Sequence, residues 1–548
     1  MIDLVTLLFF YLFLTFSIIG YGKLVFIFSK ENFDVGFEGL TGILILIILS
    51  YLTNFFTTHN YFHNSFIILF GFIFFLFSLK TDYKKSLNDL KLTLFIFGIL
   101  FIGLLMYKNH DDFFTYHFPY SLSLVNFEKI IGIGHITSGF TTPSSIFYLN
   151  SLFYLPFIEY YLMNSGAVFI MGFSNLIFLK FIKENINKNK FLLFLSLLSF
   201  IFTNTVFSRI AEHGTDRSAL ILILVITLIF LESINFSKIL KNDRRLVKSY
   251  EKIILLTTLI ISLKSFYLIY FILTFLWLFH FRHQILYGRF LYKIINNRFF
   301  YISFIGVFLS ILTVFLNTGC LVYPASFTCF ENFQWSIDIE TVKSFKSWFE
   351  QWAKAGAAPN FRVENVELYL SNLNWITGWV ERYFFTKMSD FLLVIIFISC
   401  ICTLVFSFKK KKIYSKKINF KLYYLFILLL CLEWFFNHPA LRYGGYTIIA
   451  LLFFIPLALY LSNFENKIVY LKRNVNILLL ITLLIFISKN IMRINDEYIK
   501  YGYNVFSKPF FNLDKSAFRR DEQIKKIFEQ NKNLLSRGYL IIKNNTGQ

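Results

Sequence analysis

Leu92-Thr-Leu-Phe-Ile-Phe-Gly-Ile-Leu-Phe-Ile-Gly-Leu-Leu-Met-Tyr107, followed at once by Lys108-Asn-His-Asp-Asp-Phe-Phe-Thr-Tyr-His117, decides the fold class of this chain. The first part is apolar and carries no charge. About 20 such residues cross a bilayer core roughly 30 Å thick as a helix, and shorter runs cross where the membrane thins. The second part sets two carboxylates, Asp111 and Asp112, at the membrane surface at the head of a long loop. Charge held there costs solvation energy, so it needs a reason.

Outward from this stretch the same texture recurs. The chain is 56% hydrophobic and 16% charged, with its apolar residues in blocks. Candidate spans are Ile2–Ile19, Leu40–Phe56, Phe62–Leu79, Leu92–Tyr107, Ala167–Ile182, Phe191–Phe207 and Ala219–Ile234. Seven more follow: Ile253–Leu263, Phe266–Phe281, Phe299–Leu316, Phe391–Phe408, Leu422–Phe436, Tyr446–Leu461 and Val475–Ile487. A lipid-exposed strand would leave backbone groups unpaired, so each run is expected to be a helix. The expected fold is an all-α polytopic membrane protein of about 13–14 transmembrane helices. The first run lacks a basic flank and a small-residue cleavage site, so no cleavable signal is expected.

The net charge of +22 is a matter of orientation. Lys and Arg cluster in alternate loops: Lys80 to Lys91, Lys180 to Lys190, Lys238 to Lys248, Arg282 to Arg298, Lys409 to Lys417 and Lys467 to Arg473. That asymmetry marks cytoplasmic loops and excludes nucleic acid as the partner. The intervening loops are then extracytoplasmic: His59–Asn60, Lys108–Ser145, Ser208–Ser218, a turn at Lys264, Asn317–Asp390 and Asn437–Gly445. Trp335, Trp348, Trp352, Trp375, Trp379 and Trp434 fall in or beside them, as interfacial anchors do. The stretch after Ser488 also falls outside, although it carries twelve Lys or Arg. The basic loops hold no glycine-rich phosphate loop or Walker pattern, which disfavours an ATP-driven pump.

Two external loops are long enough to hold structure. In the first, Asp112–Phe127 and Ser144–Met163 read as helices, the former lying along the membrane surface. In the second, Ile339, Val342, Phe345, Trp348, Phe349 and Trp352 form one stripe at helical spacing, ending near Pro359. Its plain reading is a helix resting on the bilayer. Cys320 and Cys329 share this loop, where an extracytoplasmic setting permits a disulfide. Cys400, Cys402 and Cys431 lie in apolar runs as small hydrophobes, and no cysteine has zinc-site spacing. The C-terminal part carries a helix at Arg519–Leu535 and a short apolar run, Gly538–Lys543, of strand type.

Three short elements now carry a resemblance. They are Asp112-Phe-Phe-Thr-Tyr-His117, Gly319-Cys-Leu-Val-Tyr-Pro324 and Pro439-Ala-Leu-Arg-Tyr-Gly444. With the tight basic turn at Lys264, their order and sidedness resemble the GT-C superfamily of polytopic glycosyltransferases. They are closer still to bacterial GT-C-like membrane proteins with an acidic-Tyr-His element in this loop. The likeness spans about residues 92–461. It divides the chain into N-terminal additional helices (1–80), a GT-C-like core (81–488) with extracytoplasmic loops 108–145 and 317–390, and a small basic tail (489–548). The first three helices are a departure, since the family aspartate usually follows the first helix.

The resemblance implies transfer of a sugar from a polyprenyl-phosphate donor to a glycan, lipid or protein acceptor at the outer face of a bacterial plasma membrane. Such chemistry needs a carboxylate to take the acceptor proton, cations to hold the phosphate leaving group and an apolar groove for the lipid tail. Asp111 or Asp112 would be the base, by match to the family position. Lys264, Arg442, Arg217, His117 and Tyr116 are the candidates for substrate and phosphate contacts. Asp216 and His213 are the candidates for a divalent metal such as Mg or Mn. Each has a plainer role: a snorkelling Lys264, Arg442 paired with Glu433, an Asp216–Arg217 polar turn, histidines bonded to headgroups. Two other classes stay open. One is a lipid-linked oligosaccharide flippase or an O-antigen-type polymerase or ligase; the other is a non-catalytic membrane protein.

Overall fold

The computed structural model describes residues 3–27, 34–81, 83–236, 243–285, 289–357, 363–407, 420–464, 467–513, 515–530 and 540–542. Each of the fourteen apolar runs falls on helix, and the described residues contain no strand. Among the described residues, ten helices are long and apolar enough to cross a membrane. They begin at Leu4, Val35, Tyr61, Leu87, Gly166, Asp216, Arg298, Trp375, Gly445 and Ile468. Lys190–Val206 and Ser265–His280 are apolar but shorter. The protein is an all-α, multi-pass membrane protein. The basic runs 238–242 and 409–417, Pro359 and Arg362 lie outside the described residues.

Enclosure differs sharply among the spans. The helix Asp216–Phe236 is innermost, with 89% of its apolar window buried, against 28% for the one from Trp375 to Ser407. Charge at the head of the Asp216 helix is therefore enclosed, Asp216 itself being buried. The first three helices meet through glycines: a Cβ on Gly20 would fall 1.8 Å from the Gly71 carbonyl oxygen. Small residues permit that approach in lipid, where packing rather than apolar burial joins helices. The helix Val35–Thr53 also ties into the short helix Ser145–Ser151, Ser50 Oγ donating to Tyr148 O at 2.8 Å.

The last span departs most from the expected Val475–Ile487. It runs from Ile468 to Tyr501, about 50 Å at 1.5 Å per residue, and so projects well past a bilayer core. Its projecting end holds the loop that follows Tyr107, Glu497 accepting from the backbone N–H of Tyr107 at 3.0 Å. The tail continues along the same loop. Asn512 N–H donates to Tyr107 O at 2.9 Å, Asn126 donates to Asp521 at 2.8 Å, and Ile542 N–H donates to Ile131 O at 2.9 Å. The basic tail thus lies on the same side of the bundle as the 108–145 loop. Its helix is Arg519–Gln530, and residues 531–535 lie outside the described set. Of the expected strand at 538–543, the described residues keep a single bridge, Ile131 to Ile541.

Two loop expectations change. The helix expected over Ser144–Met163 ends at Ser151. Pro156 disfavours helix at the residue before it, and Phe157 and Glu159 follow with φ of 68° and 51°, which turns the chain. In the second loop the helix expected from Phe391 starts sixteen residues earlier, at Trp375, through a π-helical segment Val380–Met388. Cys320 and Cys329 form a disulfide. Alkylation of the denatured protein is expected to find three free thiols before reduction and five after; five before reduction contradicts this.

Candidate functional site

Helix geometry places the first acidic residues. The chain from Asp111 to Asn126 is one helical run interrupted by a π turn at Phe113–His117. A π turn widens the helix, and such bulges concentrate at functional sites. It sets Asp112, Tyr116 and His117 toward one face. The pair divides there: the Asp111 side chain is 94% exposed, with only an ion pair to Lys108 at 3.5 Å, whereas Asp112 turns inward.

Asp112 meets a cluster built from four distant parts of the chain. Arg442 Nη2 lies 3.4 Å from Asp112 Oδ2, and Arg442 Nε donates to Asp216 Oδ2 at 3.0 Å. Lys264 Nζ donates to Asp216 Oδ1 at 2.5 Å. Asp216 is nearly enclosed, its side chain 7% exposed, while Asp112 and Arg442 are at 41% and 38%. The cluster therefore has a buried floor and an open side. Two carboxylates face two cations, so the floor is charge-balanced, and the weakest contact is the one at the open side. The Glu433 alternative for Arg442 is not formed; Glu433 accepts from Asn437 at 3.2 Å.

The cations are held by aromatic clamps. The turn bearing Arg442 is fixed by Trp379 Nε1 to Pro439 O at 2.7 Å, Trp434 Nε1 to Ala440 O at 2.9 Å and Leu441 N–H to Tyr383 Oη at 2.7 Å. The guanidinium lies over Trp352 at 5.5 Å and Tyr443 at 5.6 Å, and Lys264 over Tyr443 at 5.0 Å. Cation–π contact at desolvated sites adds real attraction. The helix Ile339–Lys354 thus ends against the site through Trp352. The second motif element, Gly319–Pro324, adjoins as well, Ser265 Oγ donating to Tyr323 O at 3.4 Å. Burial draws the Lys264 ammonium below its ordinary value; Asp216 opposes that shift and Arg442 adds to it.

Other expected residues fall elsewhere. Arg217 pairs with Glu212 at 2.9 Å. His213 directs Nε2 to Phe207 O at 2.7 Å. Both oxygens of Asp216 are taken by cations, so Asp216 and His213 do not form a ligand set, and the described residues hold no group of three metal-ligating side chains. The residues present do not fit a metal at this place. His110 and His117 sit edge to face at 4.8 Å behind Asp112. Sequence reading missed the roles of Tyr443, Tyr383, Trp352, Trp379 and Trp434, which depend on contacts between elements tens of residues apart.

Burial keeps these imidazoles neutral. It lowers His110 and His438 to about 4, and His213 and His59 to about 3, from 6.5. Each folded-state value lies below the unfolded one. Stability is then fully present above pH 6.5 and is lost as pH falls toward 4, where the unfolded chain binds more protons. Thermal unfolding followed by tryptophan fluorescence is expected to show a melting temperature steady from pH 7 to 8 and falling steeply between 6.5 and 4. A flat profile across the acid range contradicts this.

Fold and site together define a polytopic α-helical membrane protein with one charged, aromatic-clamped cluster at one end of its bundle. The chain belongs to the family described as a domain of unknown function (DUF8201), matched over residues 1–449. That match takes in the first three helices and every residue of the cluster. No curated protein matches the chain, and no solved structure does.

Proposed function

We propose that this protein transfers a sugar from a polyprenyl-phosphate donor to a glycan, lipid or protein acceptor at the extracytoplasmic face of a bacterial plasma membrane. The observation that carries this reading is the meeting of Asp112, Asp216, Lys264 and Arg442 in one cluster with an open side. The likeness to GT-C glycosyltransferases supplies the reaction class.

In this reading Asp112 is the base. It takes the proton of the acceptor hydroxyl as that oxygen bonds to the sugar's anomeric carbon. The bond from that carbon to the phosphate oxygen breaks, and its electron pair leaves with the phosphate. Arg442, whose fork suits phosphate oxygens, and Lys264 meet the charge that gathers there. Asp216 touches no substrate; it holds both cations in place. The donor phosphate displaces the long Asp112–Arg442 contact, which frees the carboxylate for the acceptor. The disulfide in the 317–390 loop supports the extracytoplasmic placement, since such bonds persist in oxidising compartments.

The test is incorporation of labelled sugar from a polyprenyl-phosphate donor by the purified protein in lipid nanodiscs. Time-dependent product formation supports the reading. A protein that leaves a panel of such donors intact, or that moves the intact donor across the bilayer, contradicts it.

A further inference from the structure

The chain beyond Tyr501 packs back against the turn that follows Asp112. Phe511, 4% exposed, meets the Phe113 ring edge to face at 5.5 Å and lies 6.1 Å from Phe114. It shares a small apolar core, distinct from that of the bundle, with Met106, Phe113, Phe118 and Ala517. The next residue is tied through its backbone, Asn512 N–H donating to Tyr107 O at 2.9 Å. Phe518 reaches the Phe118 ring at 5.8 Å. Phe113 opens the π turn and Phe118 directly follows it, so the arm grips the turn at both ends.

That grip bears on Asp112. A π turn is a rare state of a helix, and packing must select it. Wound as α-helix, at about 100° per residue, the same stretch would swing Asp112 by roughly a quarter turn against the helix Phe118–Asn126. Such a swing takes the carboxylate away from Arg442. The Asp112–Arg442 contact is long and half-exposed, and pairs of that kind contribute little. Burial of aromatic rings contributes more. The rings, rather than the ion pair, therefore set the turn.

We infer that Phe511 is a positioning residue: through the rings of Phe113 and Phe118 it holds the π turn that presents Asp112 to the charged cluster. The inference rests on the transferase reading for the consequence of that placement, delivery of the base to the acceptor. Phe511 lies beyond the family-matched residues 1–449, whereas all four charged residues of the cluster lie within them.

Hydrogen exchange and initial transfer rates on the full chain in nanodiscs test this with Phe511→Ala, Phe511→Leu and Phe528→Ala. Phe528 belongs to the same arm but packs on Phe127 at 5.4 Å, a ring outside the turn. Phe511→Ala is expected to speed amide exchange over residues 113–118 by at least about tenfold, as local opening becomes easier. It is expected to lower kcat by about ten- to hundredfold, the cost of a small misplacement. The donor KM should stay within about twofold, because Arg442 and Lys264 are untouched. Phe511→Leu is expected to restore most of both losses, and Phe528→Ala to leave exchange and rate near those of the unaltered protein. Melting temperatures check folding, and if Phe511→Ala does not fold, Phe511→Val carries the same comparison. Unchanged exchange over 113–118, an equal effect from Phe528→Ala, or a donor KM that rises as far as kcat falls overturns the inference. Faster exchange with an unchanged rate overturns it too. If the unaltered protein transfers no sugar, the transferase reading fails by itself, and exchange alone decides whether Phe511 holds the turn.

Discussion

Asp112→Asn is expected to lower sugar transfer by about 10²–10⁴, the usual worth of a general base, while Asp111→Asn keeps a rate near that of the unaltered protein. The two carboxylates are adjacent in sequence and differ only in where the helix sends them. Asp112 touches Arg442 at the open side of the cluster, whereas Asp111 is 94% exposed beside Lys108. Asparagine preserves the shape at position 112, and the contact it weakens is long and half-exposed, so the melting temperature should hardly move. The comparison is made with initial rates of labelled-sugar transfer on equal amounts of folded protein. Equal rates for the two variants, or a greater loss for Asp111→Asn, sinks the assignment of the base.

Asp216→Ala acts on stability first. Removing this carboxylate leaves Lys264 and Arg442 facing each other in a largely enclosed place, each having lost its shortest ion pair. Breaking one side of a buried ion pair costs about 3–5 kcal/mol, because the remaining charge stays desolvated. Lys264 loses its ion pair here while Arg442 keeps its long contact to Asp112 at the open side, which puts the expected loss within that range. Joining Asp216→Ala to Lys264→Met is expected to recover a large part of it, since only Arg442 then remains and its outer edge reaches water. Lys264→Met alone should be milder, as Asp216 retains Arg442. Thermal unfolding of the three variants decides: if Asp216→Ala melts with the unaltered protein, the cluster does not hold the site together.

How much of this was legible in the sequence depends on the range of the interaction. Spans follow from local apolar content, so all fourteen runs fall on helix. Errors come where a loop element is set by its neighbours. The helix expected over 144–163 fails at Pro156, a local signal that the apolar pattern masks. The span expected at 475–487 runs on to Tyr501 because Arg493 and Glu497 pair within it and seize the loop after Tyr107. Asp112, Asp216, Lys264 and Arg442 could each be singled out as charge near apolar helix ends, but their joining could not. It comes from tertiary packing across hundreds of residues of chain. Asp216 and His213 stood as metal candidates through the resemblance, and the fold turns them apart, one to cations and the other to a backbone carbonyl.

A density map of the protein in nanodiscs with a polyprenyl-phosphate sugar analogue bears most directly on the claim that these four side chains form one donor site. The account places the phosphoryl oxygens about 3 Å from the Arg442 guanidinium and the Lys264 ammonium, within ordinary hydrogen-bond reach, with Asp112 facing the anomeric carbon from the side opposite the phosphate. A phosphoryl group lodged instead among the basic loops at the other end of the bundle would contradict it.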